Sequence, residues 1–155
     1  MTAGINSRSI EDLDPAARQV CKAQLAECTA QGIELIVTST YRDFVAQTAL
    51  YAIGRTVQHE RRPVTNAKAG KSWHNFKCAW DVVPIVTGKP VWDALDPIWK
   101  EVVRIGKAAG AEAGAEWKTF PDMPHFAYRP NDGAGSVITL DLALNRWNEQ
   151  GTIFT

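Results

Sequence analysis

Two Asp-Pro steps, Asp14-Pro15 and Asp96-Pro97, are each followed by a helix-length run that ends in glycine, Gly32 and Gly110. Aspartate caps free backbone N–H groups, proline suits a first helical turn, and glycine suits the stop. The punctuation predicts helices over 14–31 and around IWKEVVRIGKAA. On the first, Leu13, Ala17, Val20, Cys21, Leu25 and Cys28 recur at helical spacing and mark a buried face. Between these helices IELIVTS (33–39) and AWDVVPIV (79–86) read as strands rich in β-branched residues. TGKP (87–90) reads as a turn leading to Val91 and Trp92, and Phe126, Ala127 and Tyr128 as a further strand. A helix is expected at 40–54, starting near Arg42 or Asp43 with Phe44, Leu50 and Tyr51 inward. A last one is expected at 136–150, with Ser136 as cap and Leu140, Leu144 and Trp147 on one face. The segment 55–72 has no clean period and reads as a long surface loop. With no internal repeat, low-complexity tract or linker, residues 1–155 are expected to form one α+β domain.

Charge and cysteine usage narrow the function classes. Lys and Arg number 17 against 17 Asp and Glu, which argues against a general nucleic-acid binder. No apolar run approaches the roughly 20 residues of a membrane span. The start, MTAGINSRSIEDLDP, lacks an apolar core of the secretory type, so synthesis in the cytoplasm is expected, with another route out if the protein acts outside. Cys21, Cys28 and Cys78 are an odd set without a CxxC pair, so free thiols are expected. A catalytic thiol at Cys78, close to His74, is the sharper alternative. Trp73, Trp80, Trp92 and Trp117 are core by default, although Trp73 and Trp117 adjoin the motifs below and could wall a cleft.

The chain holds three histidines, and two stand near carboxylates: SWHNFKCAWD (72–81) places His74 before Asp81, and DMPHF (122–126) places Asp122 before His125. Zinc in hydrolases takes three His or carboxylate ligands and leaves a position for water, whose pKa it lowers to about 7. One consistent casting makes His74, Asp81 and His125 the ligands and Asp122 the base. Spacing leaves it open whether the histidines bind metal or merely cap and pack, and the HEXXH zinc helix is absent.

The pattern S-x-H-x(6)-D followed by D-x-x-H resembles the LAS-type zinc metallopeptidases, D-alanyl-D-alanine carboxypeptidases and endolysins that cut peptidoglycan stem peptides. TSTYRDFVAQTALYAIGRT (38–56) resembles the segment around the family's arginine. VTNAKAGKSWHNF (64–76) and EWKTFPDMPHF (116–126) resemble the L-alanyl-D-glutamate peptidase branch. The resemblance implies a small antiparallel sheet flanked by helices, one zinc ion on His74, Asp81 and His125, and Asp122 as general base and acid. It casts Arg42 as the holder of the substrate carbonyl or the oxyanion formed on it, where the residues alone favour a helix cap pairing with Asp43. Ser72 is expected to orient the loop that carries His74, and Gln47 to support its helix rather than touch substrate. Two positions depart from the family: Lys77 replaces a common glycine and is a cation that could favour anionic substrates, and Glu116 stands where aspartate is frequent, as a support or substrate contact.

The implied function is a phage or prophage endolysin that hydrolyses the L-alanyl-D-glutamate bond. It would be a monomer without a separate wall-binding domain, released through a holin-like pore, with neither nucleic acid nor membrane as partner. Arg55, Arg61, Arg62, Lys68 and Lys71 would form a solvated loop or attract stem-peptide carboxylates. His59 is expected in solvent. The rivals are a D-alanyl-D-alanine carboxypeptidase with the same zinc site, a catalytically silent wall-binding module, and a cysteine hydrolase built on Cys78 and His74.

Overall fold

The computed structural model describes residues 3–155. Asp14 accepts a hydrogen bond from the N–H of Ala16, and Pro15 opens helix α1 (Pro15–Ala30). Strand β1 (Glu34–Ser39) follows, and Asp43 accepts from the N–H of Ala46 to start α2 (Phe44–Ala52). After the loop 53–72 a 3-10 turn (Trp73–Phe76) leads directly into β2 (Ala79–Val86). Thr87 and Gly88, both at positive φ, turn the chain back into the short β3 (Lys89–Pro90). Asp96 Oδ1 accepts from the N–H of Ile98 at the start of α3 (Ile98–Ala108). The sheet is completed by β4 (Glu112–Ala113) and β5 (His125–Ala127), and α4 (Leu140–Gln150) comes last.

The sheet is antiparallel in the order β1-β2-β5-β4, with β3 on the far end of β2. Gln24, buried on α1, ties two layers together: its Oε1 accepts from the indole N–H of Trp80 at 2.8 Å and its Nε2 donates to Val102 O on α3. Trp80, Phe126, Val82 and Trp99 fill the space between sheet and helices. This is the expected α+β domain. No helix among the described residues is long and apolar enough to cross a membrane.

Three expectations need correction. The last helix starts at Leu140 and is capped by Thr139, not Ser136. Asp132 Oδ1 accepts from the N–H groups of Ala134 and Ser136, winding 132–136 into a tight turn that keeps the chain from entering a helix there. Trp92 is 56% exposed and lies beyond the end of β3, outside the core. Lys77 takes the left-handed conformation that glycine would accept freely (φ 58, ψ 30), ending the 3-10 turn. Its carbonyl accepts from Asp14 N, its ammonium lies 4.9 Å from the centroid of the Tyr41 ring, and it lines a small cavity with Glu11, Asp12 and Asp14. It is absent from the lining of the cleft described below, so the structure does not bring it to the candidate site.

Left-handed backbone costs a non-glycine residue about 1–2 kcal/mol, of which glycine's extra chain entropy cancels part. Lys77→Gly is expected to raise stability by about 0.5–1 kcal/mol, read as a higher urea midpoint at unchanged slope.

Candidate active site

Strand β2 carries Asp81, and both neighbouring strands deliver a polar residue opposite it. Asp81 pairs with His125 on β5 and with Ser39 on β1, where a break in register beyond Val37 re-aims the strand end. Directly opposed residues on paired strands hold their Cβ atoms about 4.5–5.5 Å apart, so the register itself brings Asp81 and His125 together. His74 arrives from the 3-10 turn just before β2. Ser72 caps that turn, its Oγ accepting from His74 N, while Asn75 Oδ1 accepts from the N–H groups of Ser72 and Gly70.

His74 Nδ1 lies 2.7 Å from Thr40 O, a carbonyl that can only accept, so Nδ1 carries the proton. Its other nitrogen, Nε2, lies 3.2 Å from Asp81 Oδ1 and offers a lone pair in the neutral ring. His125 Nδ1 lies 3.5 Å from the same oxygen, and His125 Nε2 is buried without a hydrogen-bond partner. The candidate ligand atoms of His74, Asp81 and His125 lie within 4.8 Å of one another. A ring nitrogen facing a carboxylate oxygen at this distance needs a positive charge between them, which a metal ion or a proton on Nε2 supplies. Ligands about 2.0–2.1 Å from a tetrahedral zinc stand about 3.3 Å apart, close to the separations found here. The donor set therefore fits a metal ion. Burial raises the Asp81 carboxyl, but the charges and hydrogen bonds of His74 and His125 outweigh it and hold the group well below the usual carboxylate range.

Arg42 is buried and lines the same cleft, of about 710 Å³, as these three residues. It makes no pair with Asp43. Its Nη1 donates to Gln47 Oε1 (3.0 Å), its Nη2 to Ser39 Oγ (3.2 Å), and its Nε is buried without a partner. Burial pulls the guanidinium below its ordinary pKa, against the opposing charges of Asp81 and Asp122. Asp122 lies at the cleft, its carboxyl raised by desolvation and by the negative charge of Asp81. Its backbone is pinned: Asp122 N donates to Gly114 O (2.9 Å), and a Cβ on Gly114 would come 2.6 Å from Asp122 O and 2.9 Å from His125 Cβ. Trp73, Trp117 and Ser72 line the cleft too.

Other expected contacts fall elsewhere. Glu116 is exposed and pairs with Lys107 (2.9 Å), away from the cleft lining. Among the loop cations, Arg55 donates to Tyr51 O and Thr65 O and stacks 3.9 Å from the Tyr51 ring centroid, while Lys71 reaches Asp141 at the cleft edge. His59 is exposed. Gln47, expected as a helix support, is fully buried and joins Arg42 to Ala67 O. One support was missed: Asn75 donates to Arg42 O. Gln47 carried a signal in falling on the inward face of a short helix, but its partner could not be read from spacing.

Cys78 is fully buried, its thiol pushed up by desolvation and bonded to Trp73 O, so it is no nucleophile. Cys78→Ala is expected to leave turnover unchanged and to cost about 1 kcal/mol of stability through the small cavity it opens.

The peptidoglycan L-alanyl-D-glutamate endopeptidase CwlK of Bacillus subtilis (strain 168) is 36% identical over 128 residues, 77% of this chain and 75% of that protein. The chain belongs to the LAS metallopeptidases. It is a peptidase. A family described as D-alanyl-D-alanine carboxypeptidase matches residues 65–128, the span that holds His74, Asp81, Asp122 and His125. The LAS fold is seen again in two solved structures. The L-Ala D-Glu endopeptidase ChiX of Serratia marcescens superposes with a TM-score of 0.57 at 23% identity, covering 79% of this chain and 87% of that one. The LD-carboxypeptidase LdcB gives 0.60 at 21% identity, covering 75% and 58%. LAS metallopeptidases are zinc-dependent in general, and the His74–Asp81–His125 cluster could bind such an ion.

Proposed function

We propose that this LAS peptidase is a zinc-dependent peptidoglycan endopeptidase that hydrolyses the L-alanyl-D-glutamate bond of stem peptides. The observation that carries the chemistry is the convergence of His74 Nε2, 3.2 Å from Asp81 Oδ1, and His125 on the same oxygen. The similarity to CwlK, spread over three quarters of both chains, supports the choice of bond. His74, Asp81 and His125 would hold the ion. When bound, zinc lowers the pKa of a coordinated water to about 7 and polarises a carbonyl. Asp122 takes the proton from the attacking water and delivers it to the departing amine. Arg42, braced by Gln47 and Ser39, offers its guanidinium to the carbonyl oxygen as negative charge grows there. Trp73 and Trp117 cover the reacting centre against solvent.

In this reading the enzyme acts as a monomer in a phage or prophage lysis system and reaches the wall through a holin-like pore. The resemblance of residues 64–76 and 116–126 to endolysin segments supports that setting. A second reading, removal of terminal D-alanine, is favoured by the description of the family that matches residues 65–128.

Mass spectrometry of sacculi digested by the zinc-loaded protein separates the two. New D-glutamate amino termini, lost in Asp122→Ala and His125→Ala, are the expected result. Release of free D-alanine without them would move the enzyme to the carboxypeptidase reading.

A further inference from the structure

Both indoles beside the candidate ligands are tied to one charge pair. Arg129 Nε and Nη2 each lie 2.6 Å from Glu112 Oε2, and Arg129 Nη1 donates to Ile138 O. The Arg129 guanidinium sits 4.6 Å from the centroid of the Trp73 ring. The other oxygen of Glu112, Oε1, accepts from the indole N–H of Trp117 at 3.0 Å. The Trp117 ring in turn packs against His125, with centroids 4.7 Å apart. Glu112 lies on β4 opposite Ala127 of β5, two residues before Arg129, so the sheet register places the pair.

A partly buried ion pair adds little net stability over an apolar substitute, but it imposes orientation. Here the division of labour is specific. One carboxylate oxygen holds the arginine that covers Trp73, and the other holds Trp117. A pair whose task was only to join two strands would not need its second oxygen on a cleft-lining indole. The cleft needs fixed walls, because an extended peptide binds weakly where side chains must be ordered on arrival.

We propose that Glu112 and Arg129 are positioning residues that hold Trp117 and Trp73 as preset walls of the peptide-binding cleft. The proposal rests on the peptidase reading of that cleft. Its effect falls on substrate binding more than on the chemical step, since both indoles meet the peptide before and during reaction.

The test combines the indole N–H resonance of Trp117, assigned by its loss in Trp117→Phe, with kinetics on a synthetic stem peptide containing L-alanyl-D-glutamate. Glu112→Ala is expected to move that resonance and raise KM about tenfold, with kcat within about twofold. Glu112→Gln keeps one oxygen for the Trp117 indole but turns an NH2 group towards Arg129, so it restores the resonance and only part of KM. Arg129→Met, which keeps packing on Trp73 without the charge, is expected to raise KM as well. If Glu112→Ala lowers the melting temperature while resonance and KM stay as in the parent, the pair is structural and the proposal fails. Should Glu112→Ala not fold, Trp117→Phe with a parental KM would overturn it equally. A parent that leaves this peptide uncut removes the L-alanyl-D-glutamate reading, and the indole shift in Glu112→Ala then still decides whether Glu112 fixes Trp117.

Discussion

Asp122→Asn keeps the metal and loses the reaction: kcat is expected to fall by about 10²–10⁴-fold, the usual contribution of one positioned acid–base group. The amide is nearly the same size, and the backbone bond from residue 122 to Gly114 O does not involve the side chain, so the segment stays in place. Metal content per chain should therefore equal that of the parent. A stability measurement adds a check with a defined sign. In the metal-free protein desolvation and the charge of Asp81 disfavour the ionised Asp122, so removing that charge should leave the melting temperature level or higher. A variant that lost activity together with metal and stability would mean that Asp122 is part of the scaffold.

His125→Ala acts through the other half of the site. It removes one of three converging donors and is expected to abolish hydrolysis with bound zinc falling towards zero, as read by elemental analysis after dialysis. It should also erase the stabilisation that the ion gives the parent. An ion that binds only the folded chain contributes about 2.7 kcal/mol at a concentration one hundred times its Kd. Parent and variant should thus differ in melting temperature with zinc present and much less with a chelator. Equal zinc binding by the variant would show that His125 is not a ligand.

The legible part of this protein was whatever depends on local chemistry. Capping residues placed α1 and α3 because an aspartate and a proline act within one turn of chain. The ligand candidates were legible because few residue types can hold a metal, and the chain has few histidines. Arg42 shows the limit: from its neighbours it reads as a cap beside Asp43, and only the folded contacts with Ser39 and Gln47, themselves near in sequence, reveal it as a braced cleft residue. In sequence Lys77 reads only as the replacement of a common glycine; its left-handed backbone and the approach of its side chain to Tyr41 are decided by packing. Glu116 and Glu112 stand a turn apart and look alike in sequence. The one on β4 meets Trp117 and Arg129, and the other meets Lys107 in solvent.

The direct opposition of Asp81 and His125 across β2 and β5 makes the site intolerant to one kind of genetic change. Side chains alternate faces along a strand, so deleting Ala79 or Trp80 within β2 would slip the strand by one residue and set Asp81 against the wrong face of the sheet. No compensating point mutation nearby could turn it back. Length changes should be confined to exposed segments outside both the ladder and the cleft, such as 58–62 and 92–95. Tags, linkers or targeting modules added to this enzyme belong there, where a changed length leaves the strand register alone.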